Sequence, residues 1–106
     1  MSKELVGEGV LARVYAEEEG IIELDLMGLD ESRRRLVLTL ADVYIFEILN
    51  LDMTTQVRGL LAKIKLSREG ELTLTLLDED GQGRTETYVF GRNSTPPLLR
   101  IFRYQA

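Results

Sequence analysis

The side chains with the most chemical capacity are aromatic and come in three i, i+2 pairs: Tyr44 with Phe46, Tyr88 with Phe90, and Phe102 with Tyr104. On a strand, residues two apart share one face. Two such pairs side by side would form a stacking platform for bases, sugars or a peptide. Arg92, Arg100 and Arg103 lie close to the later pairs in sequence and would add charge and cation–π capacity. The competing role is packing, because aromatic rings on strands usually belong to a core, with tyrosine hydroxyls reaching its rim. The candidate interaction surface is therefore Tyr44, Phe46, Tyr88, Phe90, Arg100, Phe102, Arg103 and Tyr104.

Clustered carboxylates are the second chemical resource. Asp78, Asp80 and Gln82 stand at positions 1, 3 and 5 of a calcium-loop pattern, with Gly83 at position 6 and Glu86 at position 9. Position 12 requires a bidentate glutamate and is Val89, and the flanks alternate as strands do. The segment reads as a hairpin turn, in which Asp and Gly supply unusual backbone angles. Glu23 and Asp25 alternate with Ile22, Leu24 and Leu26, so they are expected to face solvent with ordinary pKa values. Arg33-Arg34-Arg35 follows Asp30-Glu31 and reads as a charge-balanced loop or a charged guard on an edge strand.

Catalysis is hard to assemble from this inventory. The chain has no histidine and no cysteine. That removes the commonest general base and metal ligand, along with thiolate chemistry and disulfides. Ser32, Ser67 and Ser94 have no histidine partner, and no nucleophile elbow or phosphate-binding glycine loop is present. The expectation is a protein that is not an enzyme, with no cofactor and no metal site.

Positioning these residues falls to strands. Ala62, Ile64 and Leu66 alternate with Lys63 and Lys65, then Ser67-Arg68-Glu69-Gly70 makes a turn. Leu72, Leu74 and Leu76 alternate with Thr73 and Thr75 before a second turn at 78–83 and a third run at 84–90. Period-two patterning between glycine-rich turns predicts an antiparallel meander with one buried face. Earlier, Val10, Ala12 and Val14 are expected on one face of a first strand, and Ile22, Leu24 and Leu26 face inward on a second.

Residues 43–51 are nearly all apolar and read as strand or buried helix. Their β-branched and aromatic content favours strand, with Ala41-Asp42 as a bulge or bend inside one long strand. Residues 52–59 read as a loop or one turn, with a helix as the alternative across 53–62. Arg92 to Pro97 reads as a loop, and Leu98 to Tyr104 as a final strand. No internal repeat is apparent. The expected fold is all-β with at most one short helix: a small, meander-rich antiparallel barrel or sandwich of about seven or eight strands. It forms a single domain over residues 1–106, a length that allows a core without disulfides.

The net charge is −5 and is uneven: residues 1–53 hold five Lys/Arg against twelve Asp/Glu, and residues 54–106 hold eight against six. An acidic chain is a poor candidate for nucleic acid, whose binding draws on phosphate neutralisation. No secretory signal or apolar membrane-length run is visible, so a cytoplasmic location is expected, and Asn93-Ser94-Thr95 is not expected to be glycosylated. The order of features from Leu36 to Tyr104 resembles small β-rich bacterial proteins, among them some toxin-immunity proteins, and no residue role is carried over. The expected function is a non-catalytic protein-interaction or adaptor module whose partner is another protein or a second copy, as a homodimer. The alternatives are a small-ligand-binding barrel, a barrel that binds single-stranded nucleic acid, and a toxin-immunity-like protein.

Overall fold

Among the described residues, alternating apolar positions between glycine turns produce eight strands and no helix: β1 (Ser2–Val14), β2 (Ile21–Met27), β3 (Arg33–Thr39), β4 (Val43–Asn50), β5 (Met53–Leu66), β6 (Leu72–Leu77), β7 (Thr85–Phe90) and β8 (Leu98–Gln105). The computed structural model describes residues 2–15, 18–40, 42–50, 53–78, 85–90 and 97–105. All strands belong to one antiparallel sheet in the order β3-β2-β1-β8-β4-β5-β6-β7, which is not closed: β3 and β7 are its two ends. Among the described residues no helix is long and apolar enough to cross a membrane. The all-β, eight-strand expectation matches this architecture.

The two longest strands bend the sheet. Ser2 to Val10 of β1 pairs with β8, while Val10 to Val14 pairs with β2. Met53 to Leu60 of β5 pairs with β4, while Leu60 to Leu66 pairs with β6. Each long strand thus turns a corner between a central segment (the first half of β1, then β8, β4 and the first half of β5) and an outer three-stranded segment. The corners fall at glycines. A Cβ on Gly9 would stand 2.7 Å from the Met27 carbonyl oxygen, and one on Gly59 would stand 2.7 Å from that of Leu77. Beyond each corner the pairing shifts register, between Leu11 and Arg13 in β1 and between Leu61 and Lys63 in β5, and such bulges add bend and twist.

These matched corners expose an internal repeat, which corrects the reading that none exists. Gly9, Leu11, Ala12, Glu19, Gly20, Leu24 and Leu26 recur without a gap as Gly59, Leu61, Ala62, Glu69, Gly70, Leu74 and Leu76. The structure repeats with them. Gly20 and Gly70 both lie in the turn after the first strand of their unit, at φ 79° and 80°, the left-handed region open to glycine, although the turns close differently: Glu18 and Ile21 exchange backbone hydrogen bonds in the first, whereas Gly70 donates to the Ser67 carbonyl and Ser67 to that of Glu71 in the second. Val10↔Met27, Leu11↔Leu26 and Arg13↔Asp25 correspond to Leu60↔Leu77, Leu61↔Leu76 and Lys63↔Thr75. Gly9↔Leu99 and Tyr44↔Gly59 set β8 and β4 in equivalent places. The fold is a four-strand unit, β1 to β4, repeated as β5 to β8 around a pseudo-twofold axis between β4 and β8. The fourth strand of each unit packs beside the first strand of the other.

One core joins the units. Leu24, Leu38, Tyr44, Ile48, Leu74 and Ile101 have no solvent exposure, and every buried side chain among the described residues is apolar or aromatic. Three further expectations are corrected. In β1 the inward positions are Gly7, Gly9 and Leu11, with Ala12 exposed; the bulge after Leu11 then returns Val14 to the core side. The chain around Ala41-Asp42 does not bend within one strand. It separates β3, which ends beside β2, from β4, which lies between β5 and β8. Residues 53–62 are strand, because the apolar positions that suggested a helix are recruited to β4 and then to β6. The acidic turn 79–84 and the segment 91–96 lie outside the described residues, and with them fall most of the calcium-loop spacing, Arg92 and Asn93-Ser94-Thr95.

Candidate interaction surface

The central segment turns Tyr44, Phe46, Ile48, Leu99 and Ile101 inward, so β4 and β8 present the alternate residues outward. Pairing aligns those residues into cross-strand rows. One row runs Leu5, Phe102, Ile45, Arg58. The next runs Glu8, Arg100, Glu47, Gln56.

The first row is apolar and capped by cations. Lys3 Nζ lies 4.3 Å from the centre of the Phe102 ring, and the Arg58 guanidinium lies 3.8 Å from that of Tyr104. Ile45 is 8% exposed although it points outward, whereas Leu5 is 51% exposed. Stacked cations keep aromatic surface accessible from the side while their charges stay hydrated.

The second row is ionic. Arg100 Nε donates to Glu8 Oε2 at 2.7 Å, Arg100 Nη1 lies 3.9 Å from Glu47 Oε1, and Gln56 Nε2 donates to Glu47 Oε2 at 3.1 Å. Lys3 Nζ reaches the same Glu47 carboxylate at 3.5 Å and so links the two rows. The Glu8 carboxylate at its side raises the pKa of Arg100.

Beside the ionic row an open cavity of about 380 Å³ is lined by Glu8, Gly9, Leu29, Leu49, Leu98 and Arg100. Leu29 forms one wall from the β2–β3 turn and is 90% exposed. That turn is braced by Asp30 Oδ1, which accepts from the Ser32 hydroxyl at 2.6 Å and the Ser32 amide at 3.1 Å. The Gly28 amide also donates to the Ser32 carbonyl, at 2.8 Å.

A separate polar network sits on the outward face of β1-β2-β3. Tyr15 donates its hydroxyl proton to Asp25 Oδ2 at 2.6 Å, and Arg35 Nη2 donates to the Tyr15 oxygen at 2.6 Å. Arg35 Nε lies 3.4 Å from Asp25 Oδ1, and the guanidinium lies 4.2 Å from the Tyr15 ring centre. Asp25 faces outward as its alternation predicts, but its pKa is not ordinary. The Tyr15 hydroxyl and then the Arg35 guanidinium hold it below the usual carboxylate value.

The eight sequence-selected residues do not form one surface. Tyr44, Phe46 and Phe90 are buried, and Tyr88 packs against the same core. Tyr44 is tied there by the Thr39 amide, which donates to its hydroxyl at 2.9 Å. Arg103 falls at the inward parity of β8 opposite Tyr44; its Nε is buried without a hydrogen bond, and the Tyr44 hydroxyl raises its pKa. Arg100, Phe102 and Tyr104 share the outward face. Sequence reasoning missed their neighbours Lys3, Leu5, Ile45 and Arg58, which only the pairing register brings beside them. No protein-family model, curated protein or solved structure matches this chain.

Proposed function

We propose that this protein is a non-catalytic, cytoplasmic interaction module that binds another protein through the outward face of its central segment. The observation that carries this reading is the row Leu5, Phe102, Ile45, Arg58 beside an ionic row of both signs. An apolar strip rimmed by charges is the composition of a protein contact: the strip supplies buried area, and the charges fix orientation. Leu5 is the accessible end of the strip. A base-stacking platform would need open ring faces beside free cations, whereas Phe102 and Tyr104 already carry Lys3 and Arg58 on theirs.

The test compares the full chain with its Leu5→Arg variant in native co-purification followed by mass spectrometry. A stoichiometric protein retained by the wild type and lost with the variant supports the reading. Its loss should be on the order of tenfold or more, as for an apolar contact residue replaced by a charge. Bound nucleic acid or a small molecule in place of a protein would refute it. Sedimentation of both chains identifies the case in which the partner is a second copy.

A further inference from the structure

We propose that β3 is a docking edge that takes an extended acidic segment of a partner protein as a further strand of the sheet. This goes beyond the interaction-module reading, because β3 lies outside the central segment. Backbone accounting is the first support. β3 ends the sheet and, among the described residues, pairs with β2 alone. The Gly28 amide donates to the Ser32 carbonyl and the Leu40 amide to the Gly20 carbonyl, which fixes the phase of the β2–β3 ladder between them. In an antiparallel ladder every second residue exchanges both of its bonds with its partner. Arg34, Leu36 and Leu38 therefore bond to β2, and Arg33, Arg35, Val37 and Thr39 turn their amides and carbonyls away from it. Thr39 is already used: its amide donates to the Tyr44 hydroxyl at 2.9 Å, and its carbonyl accepts from the Asp42 amide at 3.3 Å. Among the described residues, no backbone hydrogen bond reaches the corresponding groups of Arg33, Arg35 and Val37. They form the kind of template on which an extended peptide adds as a strand.

Side chains are the second support, and they choose the occupant. Arg33, Arg34, Arg35 and Val37 are all exposed along this edge. Arg35 is engaged from the covered side, 3.4 Å from Asp25 and 3.9 Å from Glu23. Both carboxylates belong to β2, so the arginine run already has one acidic strand as its neighbour. Arg33 and Arg34 form no ion pair with the described residues. Opposite charges across a strand pair stabilise it and like charges oppose it. The open side therefore admits carboxylates opposite Arg33 to Arg35, with an apolar residue opposite Val37, and rejects a basic strand.

A second copy of the chain does not supply that strand from either end of its sheet. Its β3 would bring the same three arginines to the ladder. Its β7 has Thr85, Glu86 and Thr87 at the positions equivalent to Arg33, Arg34 and Arg35. The one carboxylate there, Glu86, already accepts from the Tyr88 hydroxyl at 2.5 Å. The arginines thus guard the edge against both sheet ends of another copy while leaving it open to an acidic segment. The repeat also supplies the control, since β7 is the equivalent end of the sheet without the arginine run.

The test is an amide NMR titration of the full chain, with hydrogen exchange, against three blocked heptapeptides at millimolar concentration. The first is Thr-Val-Thr-Glu-Glu-Glu-Thr, which in antiparallel register sets Val opposite Val37 and its three carboxylates opposite the arginines. The second replaces the glutamates by lysines. The third is the acidic peptide N-methylated at its first and third glutamates, which keeps the charge and removes the amides that face Arg35 and Arg33. The expected result is saturable shifts and slowed exchange at Arg33, Arg35 and Val37 with the first peptide alone. The double variant Arg33→Glu, Arg34→Glu changes exposed side chains and should weaken binding at least tenfold. Val37→Pro deletes an amide that has no bond to β2, changes no charge, and should weaken binding several-fold. Unchanged β6 amide shifts identify each variant as folded. No saturable binding, equal binding of the N-methylated peptide, shifts on β7 instead of β3, or undiminished binding by both variants would each overturn the proposal. Leu5 lies in the central segment, so the co-purification test of Leu5→Arg stands or falls separately.

Discussion

On the outward face of the first repeat, Asp25 lies across from Arg35; at the equivalent place in the second, Thr75 lies across from Thr87. The first pair is ionic and extends to Tyr15, with Arg13 also 4.7 Å from that ring centre. The second is neutral, with the two hydroxyl oxygens 3.3 Å apart. Beneath both faces the strand pairing is the same, pair for pair, through the bulge. The inward leucines Leu24 and Leu74 coincide and are both fully buried. A shared inward pattern is thus enough to specify the segment twice, while the outward residues are free to diverge, because each sheet face has its own partners.

The core should reveal that equivalence most strongly. Leu24→Ala and Leu74→Ala each remove a fully buried side chain, and each should cost about 2–5 kcal/mol. Urea unfolding of the two variants should give losses within about 1 kcal/mol of each other. A difference of several kcal/mol would show that one outer segment, not both, carries the cooperative core. The corners should come next and should differ. Ala at either position places a Cβ against a carbonyl oxygen, but Gly9 also sits at φ 150° whereas Gly59 has no positive φ. Gly9→Ala should therefore be more destabilising than Gly59→Ala, by about 1 kcal/mol on a loss of roughly 2–3 kcal/mol. Equal losses would mean that the carbonyl contact alone sets the cost.

Legibility in the sequence followed this same division. Alternation named the inward leucines of β2 and β6 correctly, because each of these strands has one core face and no corner. It misassigned β1, where the inward positions at the corner are Gly7 and Gly9 and carry no hydrophobic signal. It left 43–62 unresolved because β4 is paired on both sides and its outward Ile45 is buried by row neighbours. The repeat is faint in the sequence because it is kept mainly in glycines, leucines and bulge position, while outward residues such as Glu23 and Thr73 differ. The candidate surface was legible only in part. Phe102, Tyr104 and Arg100 are near one another in sequence, but Leu5, Ile45 and Arg58 join them through pairing between distant strands.

The smallest effect separates the outward faces by their response to pH. Asp25 is held below its unfolded pKa by the Tyr15 hydroxyl and by Arg35. A carboxylate of this kind stabilises the fold above its unfolded pKa of about 3.9 and loses that contribution as pH falls through the lower folded value. Asp25→Asn should therefore be less stable than the wild type by a constant amount at neutral pH, and the gap should narrow below about pH 4. Arg35 stays protonated throughout, since the Asp25 carboxylate raises its pKa further. At the equivalent site Thr75→Val removes a hydroxyl pair with no titrating group, so its effect should be under about 0.5 kcal/mol and flat with pH. Denaturation of both variants from pH 7 to pH 3 reads the contrast directly. A flat Asp25→Asn gap would place the lowered pKa in the unfolded chain as well. A sloping Thr75→Val gap would mean that the threonine pair is coupled to a carboxylate elsewhere on its face. Either result would remove the electrostatic distinction between the repeats while leaving their shared backbone geometry in place.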